Sequence, residues 1–293
     1  MIGDDIVVMG RRAVARSYAK INLTLDVTGK RDDGYHEVEM IMQTLSLFDL
    51  VIADKTRGGI HLSTNLHYLP SNEKNIAYKA ARLFFDETGI RGGVKLRIHK
   101  NIPVSAGLAG GSGNAAAVLV LLNMLYNAGL SENELCSLGA KLGADVPYCI
   151  TGGTQLSSGI GEVLSPLPPM PKLNILLVKP FINVSTAEVY KEIDSAVITR
   201  RPDTAAMTAA IERGDTCAVA GNLCNVMEYV TERQYPVISY IKSKMKADGA
   251  LGALMSGSGP SVFGIFEDYE TAFRSAAGFL RSFRDVFVVK TYN

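Results

Sequence analysis

The chain has 293 residues, of which 47% are hydrophobic and 20% charged, which excludes a disordered, collagen-like or coiled-coil chain. At roughly 150 residues per domain, this length suits two packed domains. Thirty basic residues against 29 acidic ones give a net charge of +1, which argues against a general nucleic-acid binder but allows a local site for an anionic small molecule.

Neither the cysteines nor the apolar runs indicate a metal motif, export or a membrane span. The four cysteines are dispersed without a CxxC pair, which favours reduced thiols: Cys136, Cys149, Cys217 and Cys224. The most apolar run, 115–125, falls short of the ~20 residues of a spanning helix. Residues 1–12 lack the apolar core of a signal peptide. We therefore expect a cytoplasmic protein without membrane or nucleic-acid partners.

The N-terminal region alternates between mainly apolar and mainly polar residues over 13–27. This period of two predicts a strand with one buried face. Lys20 and Asn22 then lie side by side on the opposite face. The cluster 29–34 predicts a turn, and an extended segment over about 35–49 completes a hairpin.

Helical and strand patterns alternate up to about residue 143. The predicted elements are a helix over 75–86, a strand over 94–98 and a helix over 114–126 closed by Gly129. Ser131 and Glu134 form a capping box for a further helix that ends near Gly143.

The composition changes at Gly152-Gly153 and at the proline-rich stretch 166–171. We place a boundary there, with domains over 1–165 and 166–293. In the second half we predict a strand over 173–178, helices over 186–193, 204–213 and 236–247, short strands flanking 256–259, a helix over 269–283 and a strand over 286–291. The mixture predicts an α+β fold class.

A glycine-rich loop over 105–113 lies between a strand and a long helix. Glycines let backbone N–H groups approach phosphate oxygens, and a helix N-terminus favours an anion. The arrangement predicts a phosphate site. No GxxxxGK[ST] sequence occurs, which excludes a Walker A loop.

Two segments match parts of a dinucleotide fingerprint, but neither has its context. Residues 111–116 read GxGxxA, yet the acids about twenty residues on, Glu132 and Glu134, lie at a helix start instead of a strand end. Residues 257–259, which read GSG, precede a strand-like run over 261–266 instead of a helix. A nicotinamide-dependent dehydrogenase is therefore disfavoured.

The loop with its flanks, 103–116, resembles the P-x-x-x-G-L-x-S-S-A-A signature of the GHMP small-molecule kinases. Further motifs of the same family occur in order: AKINL at 19–23, GYHE at 34–37, GADVP at 143–147 and SGSGPSVF at 256–263. The resemblance spans nearly the whole chain. It is strongest to the branch that acts on a cytidine-diphosphate-linked sugar alcohol.

The resemblance implies a two-domain fold, with a ribosomal-protein-S5-like N-terminal domain that carries ATP and a ferredoxin-like α/β sandwich at the C-terminus. It implies transfer of the ATP γ-phosphoryl group to the 2-hydroxyl of 4-diphosphocytidyl-2-C-methyl-D-erythritol, with Mg²⁺. A mevalonate- or homoserine-type kinase and a non-catalytic relative remain alternatives. Either a monomer or a homodimer remains open.

The resemblance also implies a role for particular side chains. Asp145, in the loop after the helix that ends near Gly143, matches the catalytic aspartate and would act as general base, with Lys20 as its partnering lysine. Taken alone, Asp145 also fits a turn or helix end, and Lys20 a solvated strand lysine. The implied substrate contacts are Asn22, the cytosine-binding Tyr35 and His36, Thr186 and Tyr190.

The implied nucleotide contacts are Pro103, Gly107, Leu108, Ala109, Gly110, Gly111, Ser112 and Gly113, with Asn75 on the adenine side. The sequence departs from the common family pattern in two places: Ala109 stands where many members have glycine, and Gly113 where many have a second serine. Ser112 is then the main hydroxyl candidate for Mg²⁺.

Overall fold

The computed structural model describes residues 6–293. The expectation for the N-terminal 12 residues therefore falls partly on residues 1–5, outside the described residues. The chain divides into two compact units. The first comprises the chain up to Ala19, Leu47–Val104 and Ala109–Gly152; the second comprises Lys20–Ser46, Ser105–Leu108 and Gly153–Asn293. The predicted boundary at 165/166 stays a prediction.

The strands of the described residues are β1 (Val7–Met9), β2 (Arg12–Lys30), β3 (His36–Thr56), β4 (Gly59–Thr64), β5 (Gly93–His99), β6 (Thr154–Ser158), β7 (Val163–Pro166), β8 (Asn174–Lys179), β9 (Cys224–Asn225), β10 (Gly252–Met255), β11 (Val262–Phe266) and β12 (Asp285–Lys290). The helices are α1 (Ile76–Thr88), α2 (Gly110–Tyr126), α3 (Glu132–Ala140), α4 (Asp145–Thr151), α5 (Thr186–Ile193), α6 (Thr204–Glu212), α7 (Thr216–Gly221), α8 (Glu228–Gln234), α9 (Val237–Ala247) and α10 (Tyr269–Phe279).

The first unit is built around α2, which packs against α1 and α4. Every side chain from Asn114 to Leu122 is buried, as expected of a helix that is apolar nearly all round. In the sheet of this unit, β3 pairs antiparallel with β5, and β4 runs parallel to β5. The buried helix α2 therefore begins within the glycine-rich segment.

The second unit contains a four-stranded antiparallel sheet in the order β10-β11-β8-β12. Helices α9 and α10 pack on this sheet. Its core side chains include Leu177, Phe263 and Phe279, all at most 1% exposed. The end of β2 also lies in this unit, where Thr24 and Leu25 pair with the short parallel strand β9.

The predicted strand over 13–27 is confirmed and longer, but the prediction of a single buried face is wrong. Residues 17–25 of β2 are all buried. Lys20 is 4% exposed and Asn22 fully buried. The polar face is covered in the second unit, where Ser256 and Met40 hydrogen-bond to Asn22. Polar residues on this face therefore need partners, which the structure supplies.

The long apolar helix is confirmed and ends at Tyr126 as predicted, but its start and its C-cap residue differ from the prediction. It begins four residues earlier, so that Gly110 to Gly113 form its first turn instead of a loop. Ala109 precedes it with a left-handed φ of 54°. Its C-cap is Asn127, also left-handed, and not Gly129. Asparagine tolerates this conformation, so the C-cap lies two residues before the glycine.

The short helices and strands account for most of the other differences. The capping box of Ser131 and Glu134 is present, as predicted. Asp145, expected in a loop, is the first residue of α4. The hairpin of β6 and β7 was not predicted, and β7 ends at Pro166. These elements are too short for periodicity to distinguish them from loops.

Candidate active site

The glycine-rich segment leads directly into the N-terminus of α2. Ala109 makes no side-chain capping bond there, and the first turn carries no acidic residue. The first-turn N–H groups are therefore not covered by a side-chain cap, unlike those of α3 or α5. Uncapped N–H groups and the positive end of the helix dipole suit an anion such as a phosphate.

Gly107 is held tightly against residues 256–259, the SGSG segment, in the second unit. Its φ is +72°, and a Cβ there would lie 2.3 Å from the carbonyl oxygen of Ser256. Ser256 Oγ donates to Gly107 O over 3.0 Å, and Asn22 N donates to that hydroxyl over 3.3 Å. Sequence reasoning singled out the SGSG segment as a family motif and as a fingerprint without its context, but it predicted no contact for this segment. Its serine joins β2 to the glycine-rich segment.

Lys20 and Asn22 lie together, as the alternation predicts. Lys20 Nζ donates to Asn22 Oδ1 over 2.7 Å, and both residues are buried. The backbone N–H of Lys20 donates to Leu108 O over 3.2 Å. A buried ammonium is thereby fixed on the strand that holds the glycine-rich segment. Such a charge is suited to a phosphate or a developing negative charge.

Asp145 is half-buried at the start of α4 in the first unit. Helix α4 packs on α2 and α3, so the backbone that carries this carboxylate is well supported. A carboxylate in the first turn of a helix is also stabilised by the helix dipole. The pairing of Asp145 with Lys20 stays a prediction.

The residues predicted to bind a base are partly assembled in the second unit. The rings of His36 and Tyr190 stack, with centroids 5.1 Å apart and planes at 22°. Tyr35, the neighbouring aromatic, is 61% exposed. Thr186 Oγ1 lies 2.7 Å from Ser258 Oγ, which links the start of α5 to the SGSG segment.

A charged pair beside His36 was not predicted from the sequence. His36 Nε2 lies 2.7 Å from Asp194 Oδ1, and Lys30 Nζ lies 2.5 Å from Asp194 Oδ2. Hydrogen bonds from Lys30 and His36 lower the pKa of the Asp194 carboxyl below its ordinary value. His36 and Asp194 are 158 positions apart in the chain, so no local pattern could have joined them.

A cavity of about 300 Å³ adjoins this pair. Its lining residues are Val27, Thr28, Gly29, Lys30, His36, Ile193, Asp194, Ala196, Ile198 and Arg201. The two cationic side chains and the imidazole give it a polar wall suited to a polar heterocycle or an anion.

A buried ionic cluster anchors the entry to the glycine-rich segment in the first unit, and no sequence pattern indicated it. Asp49 is fully buried and accepts from the backbone N–H groups of Asn101 and Ile102, at 2.7 and 2.8 Å. It also binds Lys100 Nζ and accepts from Asn114 Nδ2 over 2.9 Å. One carboxylate thus joins β3, the chain before Pro103 and the first turns of α2.

Two further residues predicted to contact the nucleotide lie at helix starts: Asn75 at α1 and Gly113 at α2. Asn75 is the N-cap of α1, where Oδ1 accepts from Ala77 N over 3.0 Å. A Cβ on Gly113 would lie 2.6 Å from Ser17 Oγ, which explains why this position cannot hold serine without local rearrangement. Their contacts with a nucleotide stay predictions.

Residues 6–293 hold neither a metal-binding cluster nor a membrane-spanning helix. They contain no group of three or more His, Cys, Asp or Glu side chains placed to hold a metal ion. No helix among them is long and apolar enough to cross a membrane.

Comparison with known proteins connects this geometry to an enzyme family. A family model described as GHMP kinases N terminal domain matches residues 75–153, and one described as GHMP kinases C terminal matches residues 207–283. The 4-diphosphocytidyl-2-C-methyl-D-erythritol kinase of Clostridium novyi (strain NT) is 50% identical over 276 residues, which are 94% of this chain and 99% of the relative.

One solved structure supports the same family, and another shows the same fold. A crystal structure of 4-(cytidine 5'-diphospho)-2C-methyl-D-erythritol kinase has a TM-score of 0.82 and 32% identity, covering 96% of this chain and 99% of that one. A homoserine kinase from Cytophaga hutchinsonii has a TM-score of 0.74 at 18% identity, covering 98% of this chain and 96% of that one. This second likeness shows the fold alone.

Proposed function

The chain belongs to the GHMP kinases and, within them, to the 4-diphosphocytidyl-2-C-methyl-D-erythritol kinases, and we propose that it transfers the γ-phosphoryl group of ATP to the 2-hydroxyl of that substrate. The α+β GHMP fold class is confirmed. The reaction belongs to non-mevalonate isoprenoid synthesis.

One observation carries the proposal beyond the family. The glycine-rich segment opens into the uncapped N-terminus of α2, and the strand that binds Leu108 also holds the buried ammonium of Lys20. Phosphoryl transfer depends mainly on positioning and on stabilisation of charge. Backbone N–H groups and a fixed lysine supply both.

The proposed chemistry assigns complementary roles to two side chains. Asp145 accepts the proton of the substrate hydroxyl as that oxygen attacks the γ-phosphorus. Lys20 stabilises the negative charge that develops, and Asn22 orients its ammonium through the 2.7 Å hydrogen bond. Asn22 is also proposed to contact the substrate.

The cytosine is proposed to bind beside His36. Tyr35 and Tyr190 supply aromatic faces for stacking, and His36 supplies hydrogen bonds. The mostly exposed ring of Tyr35 is free to close over a base. Thr186, on the same helix face as Tyr190, contacts the substrate from the side of the SGSG segment.

ATP is proposed to bind along the glycine-rich segment and α2, in contact with Pro103, Gly107, Leu108, Ala109 and the helix turn that follows. Asn75 lies on the adenine side.

Magnesium fits this site as an ion held largely by phosphates, with few protein ligands. Ser112 Oγ, in the first turn of α2, makes no hydrogen bond to another described residue and is available as one such ligand. When bound with ATP, Mg²⁺ would offset negative charge on the phosphates.

The alternative functions are less well supported. The homoserine kinase likeness is one of fold, at 18% identity. A non-catalytic relative would have no need of a buried lysine fixed beside a phosphate loop. The protein acts on small molecules, and we propose that it does so in the cytoplasm, where ATP is supplied.

The test is ADP release with Mg-ATP and 4-diphosphocytidyl-2-C-methyl-D-erythritol, run beside mevalonate and homoserine. We expect turnover with the cytidine compound alone. Asp145→Asn should lower kcat about 100-fold or more. Glu132→Gln, at the exposed start of α3, is the matched control and should keep full activity. Turnover of Asp145→Asn equal to that of the parent would refute the role of Asp145 as base.

A further inference from the structure

His36 is held from two directions by a single helix. Tyr190, within α5, stacks on its ring, and Asp194, the C-cap of the same helix, meets the edge of the ring at Nε2. Residues four apart lie on one face of a helix, so α5 presents both groups together. With its side chain 7% exposed, the imidazole has little room to turn.

The hydrogen bond to Asp194 fixes where the proton of the ring lies. An ionised carboxylate can only accept, so the 2.7 Å contact requires the proton on Nε2. Lys30 keeps Asp194 ionised: its ammonium lies 2.5 Å from the other carboxylate oxygen, and the pKa of the carboxyl is lowered. In the neutral imidazole the other nitrogen, Nδ1, is then an acceptor. It makes no hydrogen bond within residues 6–293.

We propose that Asp194 is a positioning residue that holds His36 in the Nε2–H tautomer, so that Nδ1 selects a base with an exocyclic amino group. The inference rests on the proposed role of His36 in binding the base. Cytosine presents an N4 amino donor, whereas uracil has an O4 acceptor in the same place. Two acceptors that face each other leave both unpaired, which a closed site penalises.

Replacement of the carboxylate by an amide should relax this selection. The side chain created by Asp194→Asn can accept from Nε2–H or donate to a bare Nε2, so either tautomer of His36 becomes possible. The fold should be retained, because Asp194 is exposed and lies at the end of its helix.

The kinetic test compares the cytidine substrate with its uridine counterpart. For Asp194→Asn we expect the ratio of their kcat/KM values to fall about tenfold, mainly through a higher KM for the cytidine substrate, since one hydrogen bond is at stake. The KM for ATP should not change. Glu192→Gln is the matched control: this carboxylate lies on the same helix but binds Arg233 and Gln234. It should leave the ratio unchanged.

The tautomer itself can be measured without turnover. The chain has four histidines, so the ¹⁵N ring signals of His36 can be assigned by their loss in His36→Gln. At about pH 8 we expect Nε2 protonated and Nδ1 bare in the parent. In Asp194→Asn, the Nδ1 signal should move toward the protonated position.

The outcomes separate the inference from the proposed function. If the parent carries its proton on Nδ1, or on both nitrogens, the inference is overturned. The same holds if Asp194→Asn keeps the parental cytidine-to-uridine ratio while the parent is active on the cytidine compound; the proposed function then stands. A parent inactive on both compounds overturns both, whatever the ring signals show.

Discussion

Gly107 shows how one missing side chain allows two segments of the second unit to meet. Its backbone is left-handed, and the carbonyl of Ser256 occupies the place where a Cβ would lie. The substitution Gly107→Ala therefore combines a backbone cost of about 1–2 kcal/mol with an overpacking cost of about 1–3 kcal/mol. We expect a clear loss of unfolding free energy in urea titrations and a higher KM for ATP.

Gly129 offers a matched control for that prediction. It has nearly the same φ, +71°, but a Cβ at this position would meet no atom within 4 Å. Gly129→Ala should therefore show the backbone cost alone and leave the KM for ATP unchanged. Equal losses in the two variants would mean that the contact with Ser256 is unimportant.

Gly113 explains a departure of this chain from the common family pattern. A side chain there would press on Ser17 Oγ, which is fully buried on β2. We expect Gly113→Ser to destabilise the protein by about 1–3 kcal/mol through overpacking. The double variant Gly113→Ser with Ser17→Ala should recover much of the loss. A double-mutant cycle of unfolding free energies measures the coupling, and additive losses would contradict the explanation.

At the scale of elements, a buried carboxylate ties β3 to the start of α2. Asp49→Ala removes the acceptor of two backbone N–H groups and leaves the buried ammonium of Lys100 without its ionic partner. Breaking such a buried pair costs about 3–5 kcal/mol. We expect a loss of that order in unfolding free energy. The KM for ATP should rise as well, since the chain before Pro103 loses its anchor.

The same strand provides the control for Asp49. Asp54, five residues further along β3, pairs with Arg12 and Arg97 at partly exposed positions. Water already solvates much of these charges, so Asp54→Ala should cost only a small fraction of the Asp49→Ala loss. Comparable losses from the two variants would show that burial is not what makes the Asp49 cluster important.

Sequence periodicity predicted the long elements because their patterns are local. Alternation found β2, and the apolar run found α2. It could not show that both faces of β2 are covered, because the covering residues, Ser256 among them, are distant in the chain. Nor could it find the true start of α2, because glycine is a poor helix former and Gly110 to Gly113 read as a loop.

The residues of the candidate site also differ in whether the sequence could predict them. Lys20 and Asn22 could be paired from spacing alone, and His36 and Tyr190 through the family resemblance. Asp194 and Asp49 could not be found, since their partners lie far along the chain and an isolated aspartate has no distinctive pattern. Such positioning groups become visible only when the fold brings them to a functional residue.

At the scale of the whole molecule, the described carboxyl groups with shifted pKa values mostly favour the folded state near neutrality. Six have a lowered pKa, each through hydrogen bonds to backbone or side-chain donors: Asp33, Asp54, Glu134, Asp194, Asp248 and Asp268. Two have a raised pKa, chiefly because burial penalises the charge: Asp26 and Glu228.

The carboxyls with a lowered pKa and those with a raised pKa have opposite effects on stability as the pH falls. A carboxyl with a lowered pKa stabilises the fold above its unfolded pKa of about 4, and this contribution is lost as the pH falls through the folded pKa, because the unfolded chain then binds more protons. A carboxyl with a raised pKa contributes stability that grows on acidification. Since the lowered group is the larger, we expect a net loss of unfolding free energy below about pH 4.

Urea titrations at about pH 6 and about pH 3 measure this net loss, because the midpoint falls with the unfolding free energy when the slope is constant. The variant Glu228→Gln isolates the opposing contribution, since it removes a carboxyl that takes up a proton in the fold before it does so in the unfolded chain. The loss between the two pH values should therefore be larger in this variant than in the parent. An equal or smaller loss would mean that the buried Glu228 is ionised as readily as in the unfolded chain, and that Lys242, 2.6 Å away, fully offsets its burial.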